Sequence, residues 1–181
     1  MIMTTDELRK YIDTQESDDM LTGRLAAMEM MIRAYTHNRF QQRAVRRMGD
    51  IVGDLIIMEA LQPFNKGDTV QVTDSDFNDG LYVVQDSGDA TITVDGLQTD
   101  ENDVLITRVV YPMDVKMGVV NLIRWDMDRR DKAGIQSETI SRHSVTYASM
   151  DGENAIMGYP KSLIGFLRPY MRARFGQGAR S

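Results

Sequence analysis

The hydrophobic period of this chain changes twice along its 181 residues, and that double change limits the fold more than any single motif. In the first forty residues the apolar positions recur at helical spacing. Leu21, Leu25, Met28, Ile32 and Tyr35 are separated by four, three, four and three. Those intervals draw one stripe on a helix of about 3.6 residues per turn, with Arg24, Glu29 and Arg33 off the stripe. From Thr69 the pattern alternates instead. Thr69–Thr73, residues 81–85 and Thr91–Val94 are short, β-branched runs bounded by turn sequences such as Asn78-Asp79-Gly80 and Asp95-Gly96. After Tyr111-Pro112 the helical spacing returns, with Val115, Val119, Leu122, Ile123 and Met127 on one face. A β block enclosed by two helical blocks predicts an inserted domain.

Local signals set the expected boundaries. Thr4 or Thr5 caps a short helix through Ile12, with Asp6 and Glu7 in the first turn, where the helix dipole favours acids. Ser17-Asp18-Asp19 opens a second helix that ends near His37-Asn38, since Asn tolerates the left-handed end conformation. Within the β block, residues 104–110 supply one more strand. Residues 43–48 and Leu55–Met58 supply two others, although residues 50–61 also fit a helix. Strands this short, at a spacing of roughly 8–12 residues, suggest a small barrel. Pro112 is a start signal for a helix that ends at Asp131-Lys132-Ala133-Gly134. Ser137–Ile140 and residues 144–147 are expected as a short hairpin or a pair of extended arms. A last helix begins at Tyr159-Pro160 and runs to about Arg174, kinked or split by Pro169. The expected fold class is α+β. A small helical bundle of about four helices plus a short hairpin (residues 1–39 and 112–181) carries a small β-barrel inserted at residues 40–111.

Composition narrows the chemistry. The chain has no cysteine and two histidines, His37 and His143, which excludes disulfides, thiolate metal sites, thiol nucleophiles and His-rich metal centres. No apolar run approaches the ~20 residues of a membrane helix, and the first residues carry acids rather than a signal sequence. The net charge of −6 argues against nonspecific DNA coating, but it averages unlike regions. Ten acids and the single base Lys66 between Phe64 and Val104 give −9, leaving 20 bases and 17 acids, or +3, elsewhere. No acid follows Glu153, whereas Lys161, Arg168, Arg172, Arg174 and Arg180 do. Two poles of opposite sign suit head-to-tail self-association or docking to two partners. The 14 methionines are expected mainly as core filler.

Catalytic signals are weak. The run from Asp74 to Gly80 resembles the start of a calcium loop. The sixth position is Asp79 rather than Gly, however, and the twelfth is Gln85, which cannot ligate as a bidentate carboxylate. Asn-Asp-Gly turn chemistry makes a hairpin connection the expectation there. Ser141 and Ser144 flank His143 closely enough to raise a hydrolase reading, but no G-x-S-x-G elbow occurs, and His143 is expected at a surface or interface. His37 is expected to offset a helix dipole or to pack. No phosphate-binding glycine loop is present. The expectation is a non-enzymatic protein without metal or cofactor. The terminal run interleaves Tyr159, Phe166, Tyr170 and Phe175 with Lys161, Arg168, Arg172 and Arg174. Aromatic and Arg side chains anchor protein interfaces and also suit nucleic acid. Beyond Pro169 the aliphatic residues are too few to pack alone, which points to a partner-docking segment.

Four segments together resemble the head–tail connector (adaptor, or head-completion) proteins of long-tailed bacteriophages. They are DELRKYI with SDDMLTGRLAAMEMMIRAYTHNRF, then GVVNLIRWDMDRRDKAGIQSETISRHSVTY, then GYPKSLIGFLRPYMRARF, and the insert GDTVQV, FNDGLYVV and ATITVDG. The insert looks like the small SH3-like barrels of phage proteins and departs from the compact, mainly helical form of that family. The resemblance implies a ring, dodecameric in the particle, that sits beneath the portal protein, lengthens the DNA channel and receives a stopper or tail-completion protein. It places the chain in the virion at the head–tail interface, and in the host cytoplasm during assembly. DNA would pass through without sequence-specific binding, and no membrane would be involved. Carried over, Arg168, Tyr170, Arg172, Arg174 and Phe175 would face the portal. Glu138, Arg142, His143 and Tyr147 would lie at a ring interface or line the channel. The alternative is a small nucleic-acid-binding module that uses the barrel and the basic terminal helix, with binding that weakens steeply with salt.

Overall fold

The computed structural model describes residues 1–129, 137–140, 143–146 and 155–173. The chain is mixed α+β and divides into two compact units. One comprises Met1–Ile2 and Asn38–Tyr111, the other Met3–His37 and Pro112–Ser181.

Six antiparallel strands close the first unit into a barrel. They are β1 (Gln41–Val52), β2 (Leu55–Met58), β3 (Thr69–Thr73), β4 (Gly80–Ser87), β5 (Thr91–Val94) and β6 (Glu101–Val109), in spatial order β1-β2-β5-β4-β3-β6. Closure removes the free strand edges that an open sheet would expose. Ile51, Ile56, Phe64, Val70, Val72, Val84, Ile92, Val94, Val104 and Ile106 fill the interior. Residues 50–61, which fit either a helix or a strand by local pattern, are strand and turn. Ile51 pairs with Ile56 and Val52 with Leu55 across a turn where Gly53 takes a φ of +59°. That turn is what a β-branched residue could not adopt without strain. Gly49 is needed for a different reason, since a Cβ there would lie 2.7 Å from the carbonyl oxygen of Ile57. The first residues join this unit, with the Met1 ammonium donating to Thr69 Oγ1 at 2.8 Å and Ile2 buried.

In the second unit the caps act as the sequence predicts. Thr4 Oγ1 accepts from the Glu7 amide at the start of α1 (Thr5–Arg9), and Ser17 Oγ from the Met20 amide at the start of α2 (Asp18–Thr36). The α-helix α1 stops at Arg9 rather than Ile12. At the end of α2 the left-handed residue is His37 (φ 49°), not Asn38. The Asn38 side chain instead accepts from the Phe40 amide at 2.9 Å. Leu21, Leu25, Met28 and Ile32 are buried as the stripe requires, but Glu29, placed off the stripe by spacing, is buried too. Pro112 precedes α3 (Met113–Arg129), and its carbonyl accepts from the Lys116 amide. Lys116 Nζ reaches Glu7 at 3.0 Å and Arg124 donates to the Tyr11 carbonyl at 2.7 Å, so α3 holds both α1 and the turn that follows it. The end expected for this helix at residues 131–134 lies outside the described residues.

Strands β7 (Ser137–Ile140) and β8 (His143–Thr146) pair antiparallel, starting one residue earlier in β8 than expected. The single last helix is not found. Tyr159–Pro160 is strand β10, paired with β9 (Ala155–Ile156). A four-residue α4 (Lys161–Ile164) then tightens into a 3-10 turn over Gly165–Tyr170, and Met171 is extended. Pro169 explains the change, because its ring opposes the Gly165 carbonyl and it has no N–H to continue an α-helix. Methionine is also less a core residue than its abundance suggested. Met3, Met28 and Met58 are buried, whereas Met20, Met30, Met48, Met113 and Met171 are exposed. On α2 the buried stripe is already filled mainly by Leu and Ile, so Met20 and Met30 fall on the far side. Among the described residues no helix is long and apolar enough to cross a membrane.

Candidate interaction surfaces

The terminal segment of the second unit is held by several anchors. Leu167 is buried, and the Phe166 ring packs against Gly118 of α3 so closely that a Cβ there would lie 2.4 Å from it. The Tyr170 hydroxyl meets both carboxylate oxygens of Asp114 at 2.8 Å, and that hydrogen bond raises the phenol pKa above its usual range. The Arg172 amide donates to the Thr36 carbonyl at the end of α2, at 2.8 Å. That bond satisfies one of the last carbonyls of the helix. Tyr170, expected to face a partner, is thus engaged within the unit. Arg168 and Arg172 keep their side chains exposed, and Arg174 and Phe175 lie outside the described residues.

Deeper in the same unit Tyr159 and Asp126 form a buried pair. The Tyr159 hydroxyl donates to Asp126 Oδ2 at 2.7 Å and approaches the Met28 sulfur at 3.8 Å. Its ring lies 5.4 Å from that of Trp125. Of the residues expected at a ring interface or channel, Glu138 stands opposite Val145 and His143 opposite Ile140 in the β7–β8 ladder. Arg142 and Tyr147 are outside the described residues.

The barrel holds two further features. The first is the β3–β4 connection, the run that resembled a calcium loop. Glu101, at the start of β6, accepts from the Ser75 hydroxyl, the Asp76 and Phe77 amides at 2.9 and 3.1 Å, and Asn78 Nδ2 at 2.7 Å. The Ser75 bond is the largest cause, with the Asn78 and amide bonds, of a carboxyl pKa held below the usual glutamate range. Asn78 is fully buried and braces the loop further, with Oδ1 accepting from the Gln98 amide and Nδ2 donating to the Thr99 carbonyl. Tyr82 donates to the Asn78 carbonyl at 2.9 Å, and burial pushes its phenol pKa up. This bonding holds the Phe77 ring out in solvent, 63 % exposed. Among the described residues no group of three His, Cys, Asp or Glu side chains is placed to hold a metal.

The second feature is the outer face of β1 and β2. Met48, Val52, Leu55 and Ile57 point outward there and are 40–51 % exposed. A recess of about 300 Å³ beside them is lined by Met48, Ile57 and Ala60 with Asp50, Glu59 and Asp103.

Compared with known proteins, the chain matches no protein-family model, and no curated protein matches it.

Proposed function

We propose that the chain is a structural head–tail connector of a long-tailed bacteriophage or prophage, ring-forming and non-enzymatic. In this reading the helices and the 137–146 hairpin make a small bundle, and the barrel is of the SH3-like kind. The ring, dodecameric in the particle, extends the DNA channel below the portal protein toward the stopper or tail. DNA passes through without sequence-specific contacts. The protein acts at the head–tail interface of the virion, after assembly in the host cytoplasm.

One observation carries most of this reading. The terminal segment is clamped through Phe166, Tyr170 and the Arg172 amide, yet it leaves the Arg168 and Arg172 guanidinium groups exposed. A fixed base that presents cations, followed by Arg174, Phe175 and Arg180 in sequence, suits capture of an acidic partner surface. The portal-facing anchor is accordingly Arg172, Arg174 and Phe175. Tyr170 belongs to the clamp. Glu138, Arg142, His143 and Tyr147 serve the ring interface or channel wall. A nucleic-acid module fits less well, because the barrel's exposed sheet face is apolar and rimmed by Asp50, Glu59 and Asp103, which would repel a phosphate backbone.

Deleting residues 174–181 spares the whole clamp and tests the assignment. The truncated chain should unfold like the full chain but no longer bind portal rings from the same genome. Undiminished docking would show that the anchor lies elsewhere.

A further inference from the structure

We infer that the outer face of β1 and β2 is a docking surface for the basic segment 161–171 of a second copy of this chain. The inference rests on the ring-forming reading above and names the contact between neighbouring copies.

A barrel strand that faces water on one side normally alternates apolar-in with polar-out. β2 does not. Ile56 and Met58 point into the core, while Leu55 and Ile57 point outward and are as apolar. Cross-strand pairing collects the outward side chains, since Val52 stands opposite Leu55 and Asp50 opposite Ile57. With Met48 and the nearby Leu61, which is 73 % exposed, they form an apolar patch beside a recess large enough for one side chain.

The rim decides what can cover the patch. Asp50, Asp54, Glu59 and Asp103 are exposed around it, and Arg47 supplies the cation among the recess-lining residues. Face-to-face pairing of two such patches would bring like charges together, so a symmetric contact is disfavoured. The rim instead calls for a surface with both cations and apolar groups. The chain carries one in its acid-free terminal part. Lys161 and Arg168 are exposed there, together with Pro169 and the half-exposed Met171. The segment is pre-ordered by its clamp, so docking costs little additional ordering. A patch on one unit that meets an unlike patch on another is a heterologous contact, the kind that closes into rings.

The test uses the full chain in three forms, with sedimentation velocity and native mass spectrometry from micromolar to millimolar concentration. The face variant is Leu55→Lys with Ile57→Lys, and the end variant is Lys161→Glu with Arg168→Glu. All four positions are exposed, and circular dichroism checks folding. The unaltered chain should associate with rising concentration and more weakly in high salt. Each variant alone should associate at least about a hundredfold more weakly. An equimolar mixture should form a heterodimer and stop there, because each variant keeps one intact surface. A chain that stays monomeric throughout, a variant that associates as the unaltered chain does, or a mixture without heterodimer would overturn the inference. Portal capture is scored separately. Capture without self-association rejects this contact alone, and self-association without capture rejects the connector reading.

Discussion

The phenol oxygen of Tyr170 lies 2.8 Å from each carboxylate oxygen of Asp114, joining the terminal 3-10 turn to the first turn of α3 across 56 residues of sequence. The phenol must keep its proton to donate, and the hydrogen bond to Asp114 raises its pKa. The clasp therefore contributes in full below the ordinary tyrosine pKa and is lost as pH rises through the raised value. Replacing Tyr170 with Phe should cost about 0.5 kcal/mol at neutral pH, small because the site is solvent-exposed. In ultraviolet titration, the tyrosine missing from the Tyr170→Phe variant should be one that ionises above the usual range. If the missing tyrosine ionises at or below that range, the clasp is not formed in solution.

Gly118 and Phe166 make a second, purely steric joint in the same region. A Cβ at position 118 would stand 2.4 Å from the Phe166 ring. Gly118→Ala should destabilise the chain by about 1–3 kcal/mol in urea unfolding, despite the better helix propensity of Ala. Adding Phe166→Leu should recover part of that loss. A double variant no more stable than the Ala variant would mean that the crowding lies elsewhere.

Glu101 organises the Phe77 loop only as a carboxylate. Its lowered pKa means that the bonds to Ser75, Asn78, Asp76 and Phe77 are intact above the ordinary glutamate pKa. They fail as pH falls through the lowered value. The Asp76 and Phe77 amide resonances should shift together in that acidic window and not above it. In Glu101→Ala they should lie at loop-like positions at every pH. Resonances that ignore the substitution would remove Glu101 from the loop's support.

Tyr159 donates to a carboxylate that is itself buried, with Asp126 9 % exposed and Tyr159 2 %. Tyr159→Phe takes a donor from that carboxylate and should cost about 1–3 kcal/mol. The sole tryptophan, Trp125, lies tilted 5.4 Å from the same ring, so its emission reports the unfolding. Stability within a few tenths of a kcal/mol of the original would indicate that Asp126 has ample other partners.

Local signals carried much of the fold. Thr4 and Ser17 cap as their residue types demand, and the Asn-Asp-Gly turn leads into β4 from its paired neighbour β3. What sequence spacing could not supply is contact between distant residues. Glu101 completes a loop 26 residues earlier, beginning at Ser75, and no local pattern marks it as that loop's acceptor. Residues 50–61 fit two periods, and pairing with β5 and β6 decided between them. No local pattern joins Tyr170 to Asp114, which belongs to another helix. The outward Leu55 and Ile57 were hidden for a related reason, since a run apolar on both faces does not reveal which side chains the barrel leaves outside.

Binding to the portal tests the connector role most directly. Native mass spectrometry of the full chain mixed with portal rings from the same genome should show portal bearing a full ring of this chain. The same mixture with residues 174–181 deleted should show portal alone. A full chain that leaves the portal mass unchanged would contradict the connector reading.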